Sequence, residues 1–600
     1  MEHLADLWPI NQSDPMTSVI SEKKDSLRSR LAQEPQALQF GTSGRRGLLV
    51  HLSQLEVFIN ALAELEYLQS LPLSEGGIVR GEEFFFAYDL RPSSSRFVDG
   101  EPRRGELAQA IECAIRTAGM RPVNLGCIPT PALTYYAVSH GKGSIMVTGS
   151  HIPFDRNGYK TNTSRGELLK QHEQPINEKV RDARESLYSQ SFADSLFDAQ
   201  GLFKAGHLEL STESGEAATA YIKRYTDFFG SQPLHGMHLL VYQHSAVGRD
   251  LLVEILRRLG AEVITAGRSE TFVPIDTENI DAAQLAAVQA LFDDAAASHG
   301  PIDAVVSTDG DSDRPLILGV DAETSALRFF GGDLVGMITA EYLGADAAVV
   351  PISCNDGIDL GKLRHITEPK TRIGSPFVIA GMETARARGK RAVCGWEANG
   401  GFLTGSDISK NGRILKALPT RDAVLPIVAV LSSSREKGVG LAELFASLPK
   451  RYSRAALLKQ FPRPVGLEIV RRFSPSDPAI GEVRFSSQGA SLLNAEGREV
   501  QAADAEIQAL ETIRQKLAGF FTADLGFGSI TGLNFVDGVR IRFSNDDVAH
   551  LRPSGNADEL RIYAVSNSQA RADAIAAMAV AEPDGILRRL EQSAGVAERP

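Results

Sequence analysis

Four short stretches of this 600-residue sequence combine residue types that could do chemistry. In "VTGSHIPFDRNGYK", residues 147–160, an apolar run ends in a serine and a histidine, Ser150 and His151, followed by two turn signals, "HIP" and "RNG". A strand over 144–148 puts the Ser150 hydroxyl at its carboxyl end, where open α/β sheets present reactive groups. A serine that only caps the next turn fits the same letters. In "STDGDSDRP", Asp309, Asp311 and Asp313 alternate, and in an extended segment that spacing turns three carboxylates to one side. Crowded carboxylates repel one another, a cost that a bound cation removes. Oxygen-only ligands select a hard divalent ion, with magnesium the abundant candidate. A calcium-binding EF-hand loop does not fit, because its sixth position would be Arg314 and its twelfth Val320, where glycine and glutamate are needed. The remaining alternative is an acidic surface turn, against which stands the apolar run "DAVVS" that leads directly into the aspartates.

The third stretch, "RPSGNADELR", gathers Arg552, Ser554, the Gly555 amide and Asn556 in one tight loop. A guanidinium, a hydroxyl and backbone donors suit a tetrahedral dianion, although such a loop also serves as an ordinary hairpin connection. The fourth, "CGWEANGG", sets Glu397 and Asn399 beside the Gly400-Gly401 pair. A carboxylate and a carboxamide two residues apart can grip vicinal hydroxyls of a sugar, or be no more than polar loop residues.

The elements that must position these groups are those of an α/β protein. Short apolar runs precede turns and helix-period segments. "MHLLVYQ" at 237–243, the stripe Leu251, Leu252, Ile255, Leu256 and Leu259, and "AEVITAG" after Gly260 read as one βαβ unit. Further strands are expected at 84–89, 144–148, 303–308 and 347–353. Residues 465–530 are polar and mixed, and the alternating segment 538–565 predicts paired strands, hence a terminal α+β domain. Residues 1–35 form a charged leading segment, helical from about Pro15.

Composition narrows the class. With 43% apolar and 23% charged residues the chain is an ordinary folded one, large enough for three to five domains at roughly 150 residues each. Sixty-three basic residues against 75 acidic ones leave a net charge of -12, which argues against a nucleic-acid partner. No apolar run is long enough to span a bilayer, and the first residues lack an export pattern, so neither membrane nor export is expected. Cys113, Cys127, Cys354 and Cys394 lie far apart, as expected of reduced core thiols in a cytoplasmic protein.

In identity and order the four stretches resemble the α-D-phosphohexomutase family of phosphomannomutases, phosphoglucomutases and phosphoglucosamine mutases. Its phosphoserine, magnesium, sugar and phosphate loops correspond to "TGSHIP", "DGDSDR", "WEANGG" and "RPSGNA". "GTSGRRG" at 41–47, "YDLRPSS" at 88–94 and "CIPTP" at 127–131 extend the likeness from about residue 38 to the C-terminus. The resemblance implies three related mixed-sheet α/β domains and a smaller C-terminal α+β domain around a central cleft. The boundaries it implies are an extension over 1–35, then domains over 36–205, 206–325, 326–455 and 456–600.

Carried over by position, Ser150 is the phosphoryl carrier, and Ser150, Asp309, Asp311 and Asp313 hold Mg2+. Lys160 is the candidate general acid/base, Arg46 lies near the reacting phosphate, and His151 flanks the serine. Arg314 helps neutralise the phosphate, Glu397 and Asn399 contact sugar hydroxyls, and Arg552, Ser554, Gly555 and Asn556 hold the distal phosphate. The implied reaction interconverts hexose 1-phosphate and hexose 6-phosphate through phosphorylated Ser150 and a hexose 1,6-bisphosphate, which also serves as activator. Phosphomannomutase is the first choice, with phosphoglucomutase or dual specificity next. From another class, a metal-dependent sugar phosphatase or a non-catalytic phosphosugar-binding protein stands as the alternative. The expected partner is a small phosphosugar and the expected assembly a monomer or small homo-oligomer. The sugar loop departs from the family pattern, with Asn399 and Gly401 at its serine and histidine positions and "RIGSP" at 372–376 in place of a histidine-bearing stretch.

Overall fold

In the computed structural model, residues 25–95, 106–278, 280–321, 323–487, 489–554 and 558–593 are described. Most of the charged leading segment and the expected helix start near Pro15 lie outside them. The chain divides into two compact units. One comprises Met1–Ile275, Ala290–Pro315 and Leu418–Val424, and the other Asp276–Gln289, Leu316–Ala417 and Leu425–Pro600.

The first unit holds a seven-stranded mixed sheet. In order across it run Gln39–Phe40, Arg45–Leu48, Arg156–Thr163, Ser144–Val147, Glu83–Tyr88 and Arg121–Cys127, with Gly166–Glu167 paired to Arg156–Thr163. Strand Ser144–Val147 runs parallel to Glu83–Tyr88 and antiparallel to Arg156–Thr163. Glu83–Tyr88 and Ser144–Val147 are apolar and almost wholly buried, as strands covered on both faces must be. Helix Gln54–Ser70 starts at Ser53, whose hydroxyl accepts from the Glu56 amide, and buries Val57, Phe58, Leu65 and Leu68. The βαβ unit forms as read, with parallel strands His238–His244 and Glu262–Arg268 joined by helix Arg249–Arg258. Ala304–Thr308 adds a third parallel strand, so the aspartates follow its carboxyl end.

The expected "RNG" turn does not exist. Arg156, Asn157 and Gly158 begin the strand Arg156–Thr163, in register with Arg45–Leu48. A Cβ on Gly158 would lie 2.0 Å from the Arg45 carbonyl oxygen, so this glycine permits a close strand approach instead of a turn.

The second unit contains parallel strands Ala347–Val349 and Val393–Trp396, with Phe402–Thr404 antiparallel to the latter. The strand expected over 347–353 stops at Val349; beyond it the backbone pairs only through a single bridge between Pro351, which has no amide to donate, and Thr371. A seven-stranded antiparallel sheet follows, in the order Tyr452–Lys459, Glu559–Ser566, Val548–Pro553, Val539–Phe543, Ile530–Asn534, Glu482–Ser486 and Gly489–Leu493. It begins at Tyr452, which pairs with Ser566. The polar stretch 465–530 supplies helix Asp504–Ala518 and the hairpin Glu482–Ser486/Gly489–Leu493. Helices packed on this antiparallel sheet give the expected α+β pattern.

Of the four cysteines only Cys354 and Cys394 are core residues; Cys113 is half-buried and Cys127 exposed. Residue 127 ends a strand whose register shifts between Asn124 and Cys127, so simple alternation does not place its side chain in the core. Among the described residues no helix is long and apolar enough to cross a membrane.

Candidate active site

Ser150 lies three residues beyond the strand Ser144–Val147, fully buried, with φ at +54°. That left-handed conformation costs a non-glycine residue about 1–2 kcal/mol, so its surroundings must hold it. They do so through the backbone. The Ser150 amide donates to Thr148 Oγ1 at 2.8 Å, and Thr148 donates to Asp89 Oδ2 at 2.7 Å. Arg91 donates to four carbonyl oxygens of the same loop, those of Ser150, Ile152, Pro153 and Arg156. Its guanidinium lies 3.7 Å from the Phe272 ring centre and 3.5 Å from Asp89. None of these supporting residues has a role assigned from sequence: Asp89 and Arg91 lie in "YDLRPSS", Thr148 in "VTGSHIP", and Phe272 in no motif.

The Ser150 hydroxyl donates to Asp309 Oδ2 at 2.8 Å. Asp309, Asp311 and Asp313 do converge, but not by alternation in an extended segment. A tight loop does it: the Asp309 amide donates to the Arg314 carbonyl, the Ser312 amide to the Asp309 carbonyl, and Ser312 sits at φ +58°. Asp309 Oδ1 accepts from the amides of Asp313 and Arg314. Gly310 allows the Ser150 loop to approach, since a Cβ there would lie 2.6 Å from the Ser150 carbonyl oxygen. One potential ligand oxygen from each aspartate lies within 4.8 Å of the others, and all three side chains are buried.

Cations surround the triad. Lys160 Nζ donates to Asp311 Oδ2 at 2.7 Å and to Asp313 Oδ2 at 2.8 Å. Arg314 pairs with Asp313 Oδ1 at 3.4 Å and donates to His151 Nδ1 at 2.8 Å, a nitrogen 3.3 Å from Ser150 Oγ. Arg421 Nε donates to Asp313 Oδ2 at 3.0 Å. Thr130, in "CIPTP", donates to Asp311 Oδ2 at 2.6 Å. Burial first, then the charge of Arg314, push the Arg46 guanidinium down to about 10, so Arg46 shares the same field.

The balance is uneven across the three carboxyls. Burial and Asp313 push Asp311 up, but Lys160 and Thr130 outweigh them and hold it below the ordinary range. Asp313 is held far below, burial being overcome by Arg421, Lys160 and Arg314. Asp309 goes the other way: burial, then the charges of Asp313 and Asp311, push its carboxyl well above the usual value. Asp311 Oδ1 and Asp313 Oδ1 also have no hydrogen-bond partner among the described residues. A divalent cation on oxygen ligands would relieve both conditions, and the donor set fits one.

The sugar and phosphate candidates belong to the second unit and to two different sheets of it. The turn Glu397–Gly401 closes through Gly400 N to Glu397 O at 2.9 Å. Asn399 uses its carboxamide oxygen on the Gly401 amide, and its carbonyl accepts from Thr277 Oγ1. The Asn399 carboxamide oxygen is therefore taken by the loop, and the donor that this side chain could offer a sugar is Nδ2. Arg552 ends strand Val548–Pro553 and donates to Asp537 Oδ1 at 3.1 Å, and the buried Ser554 is fixed by its amide to Glu559 O. Gly555 and Asn556 lie outside the described residues. Arg421 carried no local signal at all: it reaches Asp313 from 108 residues away.

A buried serine bonded into a carboxylate triad, ringed by lysine and arginine at the carboxyl ends of α/β strands, defines a phosphoryl-transfer class of protein. Comparison with known proteins makes it particular. The family model described as phosphoglucomutase/phosphomannomutase, alpha/beta/alpha domain I, matches residues 37–186, and that for domain III matches residues 331–452. A phosphomannomutase of Sinorhizobium fredii is 35% identical over 543 residues, covering 90% of this chain and 98% of that one. A phosphomannomutase of Salmonella muenchen is 35% identical over 537 residues, 89% of this chain and 92% of the relative. A crystal structure of a phosphoglucomutase/phosphomannomutase family protein from Burkholderia thailandensis shares the fold, with a TM-score of 0.57 at 17% identity over 92% of this chain and 97% of that one. The chain belongs to the α-D-phosphohexomutase family. It is a phosphohexomutase, an isomerase that acts as an intramolecular phosphotransferase.

Proposed function

We propose that this phosphohexomutase is a phosphomannomutase that works through phosphorylated Ser150 and a mannose 1,6-bisphosphate. The mannose assignment is supported by the two relatives at 35% identity, both phosphomannomutases. The reacting-centre assignment is carried by one observation, the 2.8 Å hydrogen bond from Ser150 Oγ into the Asp309 carboxylate of the triad.

In the proposed cycle the Oγ–P bond of phospho-Ser150 breaks as the free sugar hydroxyl forms its O–P bond, and the hydroxyl proton passes to Lys160 in its neutral form, which thereby becomes the ammonium that returns it. After the bisphosphate turns around, the other phosphate returns to Ser150 Oγ and the proton goes back to the sugar oxygen. Asp309, Asp311, Asp313 and Ser150 would hold magnesium, which when bound supplies positive charge against the phosphoryl oxygens in flight. Arg46 and Arg314 steady the same phosphoryl group, and His151 fixes Arg314 beside the serine. The Glu397–Asn399 turn reads sugar hydroxyls. Arg552, Ser554, Gly555 and Asn556 take the distal phosphate, either end of the bisphosphate being a dianion of similar shape. The division into an extension over 1–35 and domains over 36–205, 206–325, 326–455 and 456–600 is part of the same proposal.

The test is a panel of mannose, glucose and glucosamine 1-phosphates with Mg2+ and a catalytic amount of the matching hexose 1,6-bisphosphate. Mannose 6-phosphate should form fastest, without release of inorganic phosphate. The active protein should be one phosphoryl group heavier than the bare chain, and Ser150→Ala should not. Stoichiometric phosphate release would make the chain a phosphatase, and a preference for glucose would move the sugar assignment.

A further inference from the structure

Arg421 stands where none of the chemistry-bearing motifs points. It lies in the strand Leu418–Asp422, yet that strand belongs with the first unit, whose other residues end at Pro315. Its side chain is 3% exposed, and its Nε donates to Asp313 Oδ2 at 3.0 Å. The same oxygen accepts Lys160 Nζ at 2.8 Å. Burying a guanidinium here is costly unless its partner is fixed, and residues on both sides of Arg421 are fixed independently. Thr420 donates to Glu167 Oε1 at 2.6 Å. Asp422 accepts from Tyr221 at 2.7 Å on one oxygen and from Tyr225 on the other, both rings being buried. The Val424 amide adds a third bond to Asp422 at 3.0 Å. In a strand, Thr420 and Asp422 face one way and Arg421 the other. The two flanking anchors therefore pin one face of the strand and aim Arg421 from the opposite face at Asp313.

We propose that Arg421 is a positioning residue of the phosphoryl-transfer centre: with Lys160 it occupies Asp313 Oδ2 and so leaves Oδ1, which Arg314 Nε approaches at 3.4 Å without a hydrogen bond, for a cation. This deepens the reading of Ser150 and the triad as that centre and rests on it. Two consequences follow from charge. A guanidinium on a cation-binding carboxylate opposes the cation, so its loss strengthens metal binding. It also orients that carboxylate, so its loss lowers turnover even with the metal bound.

The experiment compares wild type, Arg421→Met and Arg421→Lys as full-length proteins. Mn2+ affinity is measured by calorimetry after chelator treatment, and kcat and KM are measured with mannose 1-phosphate. In Arg421→Met, Mn2+ should bind about tenfold more tightly, while kcat falls by about thirtyfold or more and KM stays within roughly threefold. Arg421→Lys, which keeps the charge with a single donor group, should recover the wild-type Mn2+ affinity and only part of kcat. A merely structural arginine would weaken metal binding and turnover together, and that result, or unchanged values of both, overturns the proposal. If Arg421→Met does not melt cooperatively, Arg421→Lys decides: wild-type kcat in it also overturns the proposal. Failure of the wild type to isomerise any hexose phosphate would instead strike the functional reading, leaving the Mn2+ comparison to judge Arg421 by itself.

Discussion

Lys160 does two jobs in turn. Neutral, it takes the proton of the sugar hydroxyl as the proposed acid/base, and protonated, it is a buried cation that bridges Asp311 and Asp313. Removing one partner of a buried ionic group leaves uncompensated charge, at a cost of about 3–5 kcal/mol. Lys160→Met should therefore lose about a hundredfold in kcat and also melt at lower temperature in chelator. Added Mg2+ should recover much of the melting temperature and none of the kcat. Activity near wild type would remove Lys160 from the chemistry; a melting temperature indifferent to Mg2+ would remove the ion from the triad. Much of this centre was legible one residue at a time. Ser150, Lys160 and the three aspartates sit in unbroken motifs because each acts within a short loop or a single strand. Arg91, Asp89 and Thr130 were quoted only as likeness, because the bonds that give them a role are to backbone and to residues far along the chain.

At the level of elements, the centre depends on the antiparallel pair Arg45–Leu48 and Arg156–Thr163, which presents Arg46 and Lys160. Alternate residues of the pair point the other way and tie it down: Arg45 donates to Glu64 at 2.6 Å, and Tyr159 and Thr161 donate to the same carboxylate. The register tolerates no side chain at residue 158. Gly158→Ala should cost about 3 kcal/mol or more by forcing the strands apart, seen as a lower urea midpoint with kcat lowered as well. A midpoint equal to wild type would show that the strands can part freely. The letters "RNG" suggested a turn because Asn-Gly favours one locally, yet cross-strand pairing outweighed that local preference. The reverse held for the aspartate loop, where Gly310 and the left-handed Ser312 bend a segment that alternation alone would extend. Apart from the strand expected over 347–353, which ends at Val349, strand positions were otherwise legible to within a residue or two where the runs were apolar. The C-terminal sheet was legible only in its last three strands, which follow one another in sequence, whereas Tyr452–Lys459 finds its partner Glu559–Ser566 about a hundred residues further on.

For the molecule as a whole, buried histidines contribute to its response to acid, and among the described residues His244 and His550 are the two that burial lowers furthest. Burial lowers His244 in the first unit to about 4, against the partial support of the Thr308 carbonyl. Burial likewise lowers His550 in the second unit to about 4. Both are neutral in the folded chain where an unfolded chain, with an ordinary value of 6.5, takes up protons. Stability is then complete above pH 6.5 and falls as pH drops toward 4, by at most about 3 kcal/mol per histidine. Urea midpoints at pH 7.5 and 4.5 should differ accordingly, and His550→Gln should narrow the gap. A flat response would mean that both imidazoles charge freely in the native state.

The return of Leu418–Val424 to the first unit has a consequence in time. A ribosome that has emitted the first three hundred or so residues has released every motif of the phosphoserine and aspartate loops, but not the strand that occupies Asp313 and anchors Tyr221 and Tyr225. That half of the enzyme stays unfinished, its acidic loop short of a counter-charge, until synthesis has passed Val424. A polypeptide truncated anywhere before that point should emerge as a client for chaperones, whatever the length of its intact N-terminal part.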